Sequence, residues 1–124
     1  MTRQNSTAWF LTILLAVAAG CTGIKQETLT IRPLERVTYR CEQGGRITAR
    51  YFSLSDNSLG FVKVLLPDGH EVTLPQVLSA SGVRYTDERE WVWWTKGDDA
   101  FAETRAPSGE WRIRYDHCRI TAEH

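Results

Sequence analysis

From Thr28 onward the chain alternates polar and apolar residues in short runs, the period-two signature of strands with one face buried. Eight such runs are expected: Thr28–Arg32, Arg36–Cys41, Arg46–Leu54, Phe61–Leu66, Glu71–Leu74, Glu90–Thr95, Ala100–Arg105 and Trp111–Tyr115. In Arg46–Leu54 the side chains of Ile47, Ala49 and Tyr51 fall on one face, and Arg46, Thr48 and Arg50 on the other. Turn-forming residues separate the runs: Gly44-Gly45, Asp56-Asn57-Ser58 with Gly60, Pro67-Asp68-Gly69, Lys96-Gly97-Asp98 and Pro107-Ser108-Gly109. Pro67-Asp68-Gly69 is the clearest hairpin, because Pro presets φ and Gly takes a positive φ. Pro75 to Gly82 is rich in Ser and Ala and is expected as a loop or one helical turn. No 3.6-residue period persists outside the amino-terminal segment, so the pattern predicts an all-β antiparallel barrel or sandwich.

Two details of parity matter. Trp111, Ile113 and Tyr115 share a face while Cys118 falls on the other, so the last strand should end or bulge near Asp116 for Cys118 to turn inward. Trp91 and Trp93 share one face of their strand and Trp94 takes the opposite one. One set belongs to the core, and the other covers an interface or another strand.

The amino terminus breaks the pattern. Arg3 precedes an uncharged apolar run through Ala19, shorter than the ~20 residues a bilayer span requires. It ends in Val17-Ala18-Ala19-Gly20-Cys21, which together fit a cleaved export signal over residues 1–20. Gly20-Cys21 resembles the lipobox of bacterial lipoproteins, which implies diacylation of Cys21, a lipid anchor, and residues 21–30 as a linker to a domain over 31–121. Ala18 stands where that box more often has Leu. Cleavage after Ala18 as an ordinary secreted protein, leaving Cys21 a stray thiol, is the other reading. Either one exports the chain to an oxidising compartment where disulfides persist. Thr22 in place of Asp favours the outer membrane.

Composition narrows the function classes. With 15 basic and 15 acidic residues the chain has no formal net charge. Removing the signal takes Arg3 with it and leaves a net charge of −1, which disfavours nucleic acid as a partner. Residues 85–124 carry nine acids and six bases, against six and eight in residues 21–84, so the later half is the more acidic.

The chain has three cysteines. With Cys21 assigned to the amino terminus, Cys41 and Cys118 are most simply one disulfide closing nearly the whole domain. A redox pair or a metal site requires spacings this chain lacks. The histidines are His70, His117 and His124, and no HExxH, GxSxG or Cys-His pattern occurs. No enzyme, metal or cofactor is therefore expected.

The stretch Ser79 to Asp98 is the most distinctive. Ser81-Gly82-Val83-Arg84-Tyr85 is followed by Trp91-Val92-Trp93-Trp94-Thr95-Lys96-Gly97. These motifs closely resemble the paired signatures of bacterial inhibitors of c-type lysozyme, the membrane-bound and periplasmic MliC/PliC family. The resemblance extends to the lipobox, to Tyr39-Arg40-Cys41 and to the late Cys118. It implies a small eight-stranded antiparallel barrel closed by one disulfide. After Tyr85-Thr86 this chain has Asp87-Glu88-Arg89-Glu90 where family members often have Gly. The connection is one residue longer, which bears on the separation of the two signature loops.

The resemblance also implies c-type lysozyme as partner, with Ser81 and Lys96 inserted into its active cleft and Gly82, Tyr85, Thr95 and Gly97 completing the contact. The chemistry is apt. A glycosidase cleft holds one protonated and one ionised carboxyl group. A Lys ammonium on a thin stem can meet the ionised group, and a Ser hydroxyl both donates and accepts. Gly97 has no Cβ to obstruct approach. Tyr85 either contacts the partner or packs beneath the loop with its hydroxyl bonding backbone. An envelope lipoprotein binding a small hydrophobic ligand, or an assembly partner through its Trp-rich face, is the alternative class.

Overall fold

The computed structural model describes residues 20, 21, 23 and 26–121, so the export signal lies outside the described residues except for Gly20. Eight strands follow in order: β1 (Ile31–Arg40), β2 (Arg46–Leu54), β3 (Gly60–Leu65), β4 (Glu71–Val77), β5 (Val83–Thr86), β6 (Trp91–Lys96), β7 (Asp99–Arg105) and β8 (Trp111–Ile120). Each pairs antiparallel with its chain neighbours, and β8 returns to β1 to close a barrel. The strand number matches the expectation, but two differences cancel within it.

The runs Thr28–Arg32 and Arg36–Cys41 are not separate strands; β1 spans Ile31–Arg40 in one piece. A register irregularity between Pro33 and Glu35 breaks the alternation there, which is how one strand looks like two in sequence. Conversely, Pro75–Gly82 is not all loop, since β4 continues through Pro75 to Val77 and a short β5 follows at Val83–Thr86. Four residues are too few for a periodic signal to stand out.

The other turn expectations hold. Leu66 N–H donates to His70 O at 2.8 Å around Pro67-Asp68-Gly69, with Gly69 at φ +89°. At the end of β8, Ala100 faces Cys118 while Ala102 faces Tyr115, so β8 carries an extra residue at Asp116–His117. His117 takes φ +46° at this bulge, and Cys118 turns fully inward. It forms the expected disulfide with Cys41, across a sequence separation of 77. The direct β1–β8 ladder is short, only Tyr39 with Ile120 and Arg40 with Arg119.

The interior is filled from all sides by Val37, Ile47, Val62, Val64, Leu74 and Trp93, among others. Each fully buried aliphatic or aromatic side chain contributes about 1.5–3 kcal/mol. Three polar atoms sit among them and satisfy one another. Trp93 Nε1–H donates to Tyr51 Oη at 3.0 Å, and the Tyr39 and Tyr51 hydroxyls lie 3.1 Å apart. Burial raises the pKa of both tyrosines, so each stays a neutral hydroxyl able to donate.

Candidate functional site

In an up-and-down barrel, alternate connections emerge at the same mouth. The β4–β5 loop carrying Ser81 and the β6–β7 turn carrying Lys96 therefore share one mouth, at the end where β1 begins. Val83 of β5 pairs with Thr95 of β6, which sets the two loops side by side.

The β6–β7 turn has two residues, Gly97 and Asp98, between the paired Lys96 and Asp99. Gly97 at φ +60° occupies the first central position, the arrangement of a II′ turn whose twist matches the strands. Lys96 is thus the last residue of β6 and is exposed. Asp99 faces it, but its Oδ1 instead accepts from Arg119 Nε at 2.8 Å. No described residue forms a salt bridge with the Lys96 ammonium.

The Ser81 loop is locked onto this turn by two contacts. Gly82 has φ +64°, and a Cβ on it would come within 2.3 Å of Thr95 O and 3.0 Å of Trp94 Nε1. Only glycine fits so close to a neighbouring backbone. The Ser81 carbonyl accepts from Trp94 Nε1–H at 2.9 Å and from Ser79 Oγ at 2.6 Å. Trp94 is itself held on the outer face, tilted against Phe101 at 5.6 Å with Arg84 over its ring at 5.8 Å. With its carbonyl doubly bonded, Ser81 presents an exposed side chain beside Lys96.

The residues expected at the site therefore divide. Ser81, Gly82, Thr95, Lys96 and Gly97 come together at one mouth. Tyr85 lies deeper in the same mouth, lining it with Val83, Thr95 and Gly97. It is 8 % exposed, with its ring 5.6 Å from that of Tyr51, and burial together with the neighbouring Tyr51 pushes its phenol up to about 12. Of the two roles expected for it, packing beneath the loops is the one its burial in the free chain fits. The hydroxyl-to-backbone bond expected for it does not form among the described residues. Of the tryptophans, Trp93 is the core residue, 1 % exposed, and Trp91 packs against the core from a half-buried position. Trp94 is the outward one, bracing the Ser81 loop; its opposite parity was the visible signal, while its partner across the sheet was not.

The longer connection after Tyr85-Thr86 lies at the opposite mouth, between β5 and β6. It is held by Asp87 Oδ1, which accepts N–H groups of Arg89 and Glu90 at 2.9 Å and Trp91 at 3.1 Å. Burial alone would raise the Asp87 pKa, but these bonds outweigh it and the carboxyl titrates below its ordinary value. The added residue therefore leaves the Ser81–Lys96 spacing to the Val83–Thr95 pairing.

Cys21 is exposed and free of any disulfide. An outer groove of about 570 Å³ runs from Lys96 past Phe101 to His117 and Arg119.

Comparison with known proteins places this geometry. The family described as membrane-bound lysozyme-inhibitor of c-type lysozyme matches residues 39–111. A Pseudomonas aeruginosa protein named membrane-bound lysozyme inhibitor of C-type lysozyme is 41 % identical over 64 residues, covering 52 % of this chain and about half, 48 %, of that relative. Proteins of the same name from Cupriavidus necator and Yersinia enterocolitica are 36 % and 33 % identical over 99 residues, covering 75 % and 80 % of this chain and 72 % and 74 % of the relatives. A crystal structure of Pseudomonas aeruginosa MliC in complex with hen egg white lysozyme superposes with a TM-score of 0.55 at 26 % identity, covering 76 % of this chain and 85 % of that one. A closed eight-stranded barrel with one disulfide, the paired loops at one mouth and these matches agree: the chain belongs to the family of membrane-bound inhibitors of c-type lysozyme.

Proposed function

We propose that this chain inhibits c-type lysozyme by filling its active cleft with the Ser81 loop and Lys96, without any reaction of its own. The observation that carries this reading is the lock between the two loops, Gly82 against Thr95 O and Trp94 Nε1–H on Ser81 O, which presents both side chains as one rigid unit. Rigid presentation lowers the ordering cost of association. A cleft with one protonated and one ionised carboxyl group would otherwise lose hydration on being plugged. Lys96 replaces that hydration with a positive charge, undiminished by a salt bridge to a described residue, and Ser81 serves a carboxyl in either protonation state. The more acidic later half of the chain suits a basic partner and would speed encounter.

Membrane attachment belongs to the same reading. Diacylation of exposed Cys21 would tether the barrel through residues 21–30, in the outer membrane facing the periplasm. The tether would enter at the mouth carrying the contact loops. Mass spectrometry of the mature amino terminus tests it: an acylated Cys21 start is expected, and an unmodified one would exclude the anchor.

The function is tested by a cell-lysis assay with purified protein. Wild type is expected to suppress c-type lysozyme stoichiometrically, and Lys96→Ala to weaken binding by about 2–5 kcal/mol, the usual cost of stripping one partner from a buried charged contact. Lys96→Ala with Ser81→Ala should abolish inhibition. Full inhibition by the double variant would remove the site, and no inhibition by wild type would remove the function.

A further inference from the structure

Beside the disulfide, at the far end of the outer groove, three donor groups of two chemistries converge. His117 Nδ1 lies 3.0 Å from Glu42 Oε2 and 3.3 Å from Asp116 Oδ2. One ligand atom from each of the three residues falls within 4.8 Å of the others. We infer that Glu42, Asp116 and His117 form a surface site for a divalent late-transition ion of the Zn²⁺ type.

The chemistry of the set selects the class of ion. One imidazole nitrogen with two carboxylate oxygens matches the ligands Zn²⁺ takes, whereas Mg²⁺ and Ca²⁺ favour oxygen alone. Two carboxylates neutralise the ion's charge. Donors around a centre with bonds of about 2.0–2.2 Å stand roughly 3 Å or a little more apart, and the imidazole nitrogen lies at that spacing from each carboxylate oxygen. The remaining positions would stay open to water.

The set is also held in place. Glu42 follows Cys41 and His117 precedes Cys118, so the disulfide joins the two segments that supply the ligands. Glu42 N–H donates to Asp116 O at 3.1 Å, tying them a second time. Asp116 Oδ1 is occupied by the His117 N–H at 2.8 Å, and Gln43 Oε1 accepts the Asp116 N–H at 3.3 Å. Asp116 Oδ2 is the oxygen turned to the imidazole. The extra residue of the β8 bulge is what brings His117 to this position, and Glu42 stands 75 residues away in sequence. Ligand spacing along the chain therefore gives no sign of the site.

The same distances would also serve a protonated histidine paired with two carboxylates and no metal, and titration calorimetry of the purified chain with ZnCl₂ at pH 7.5, with MgCl₂ as the control, distinguishes the two. Saturable binding of one Zn²⁺ per chain is expected, with no comparable response to Mg²⁺. His117→Asn, chosen because Asn tolerates the positive φ of this position, should weaken Zn²⁺ binding at least about tenfold, and Glu42→Gln should weaken it too. Far-UV circular dichroism should match wild type for both, since both side chains are exposed. Absence of saturable Zn²⁺ binding, or equal affinity in folded His117→Asn, would overturn the site and leave an ion pair only. Lysozyme inhibition plays no part in this readout.

Discussion

Lys96 and Asp99 are paired across a two-residue turn, yet the carboxylate of Asp99 bonds Arg119 at 2.8 Å and not the lysine beside it. Arg119 thereby keeps an acid from neutralising the ammonium offered to the partner. Arg119→Ala releases Asp99 to pair with Lys96, and inhibition of lysozyme is expected to weaken by about two- to fivefold, the scale of exposed ion pairs. Asp99→Asn in the same background should restore it. An Arg119→Ala variant of unchanged potency would show that Asp99 does not compete for the lysine.

Gly82 and Gly44 separate fit from flexibility. Both have positive φ, but a Cβ at Gly44 meets nothing within 4 Å while one at Gly82 strikes Thr95 O. Gly44→Ala should cost about 1–2 kcal/mol of stability from its backbone alone and leave inhibition intact. Gly82→Ala should cost more and lose inhibition as well, because the Ser81 loop must lift off β6. Thermal unfolding and the lysis assay read the two effects separately.

These examples show what was legible in the sequence. Alternation and turn chemistry sufficed for strands such as β2 and β6, and the parity of Tyr115 against Cys118 foretold the bulge at Asp116. β1 was split because its irregularity at Pro33–Glu35 interrupts the alternation, and β5 was missed because it is short and follows a loop. The positions of Ser81 and Lys96 came from motif resemblance. The contacts that fix them, Trp94 to Ser81 and Arg119 to Asp99, are between residues distant in sequence and carry no local pattern. Tyr85 carried two readings for a related reason: a motif residue supporting a loop and one touching a partner look alike in sequence.

Asp87 should govern part of the acid response. Its pKa is lower folded than unfolded, so its contribution is present above the unfolded value of about 4 and is lost as pH falls through the folded one. Asp87→Asn is expected to lower the melting temperature at pH 7, by about 1 kcal/mol of stability for the weakened hydrogen bonds. The gap from wild type should close as pH drops toward 2. Parallel melting curves across that range would contradict the assignment.

Tyr51 holds the interior polar chain together. Tyr51→Phe removes the acceptor of the Trp93 N–H, which is then buried without a partner, at a cost of about 1–3 kcal/mol. Trp93 fluorescence should shift while inhibition persists at temperatures well below melting. Unchanged stability would mean that another acceptor takes the indole proton.

The Cys41–Cys118 bond closes a long stretch of chain, and its removal by paired serine substitution should cost about 4 kcal/mol on loop entropy. Denaturant titration measures this directly.

The shortness of the β1–β8 ladder gives that bond a second role. Only two positions pair across the joint between first and last strands, and the disulfide sits next to it. Once it is reduced, local opening there would free two strand edges with unpaired backbone groups, each a template for adding a strand from another copy. Oxidation of one cysteine pair thus separates a closed barrel from a chain prone to self-association, and it ties solubility to the redox state of the compartment in which the protein folds.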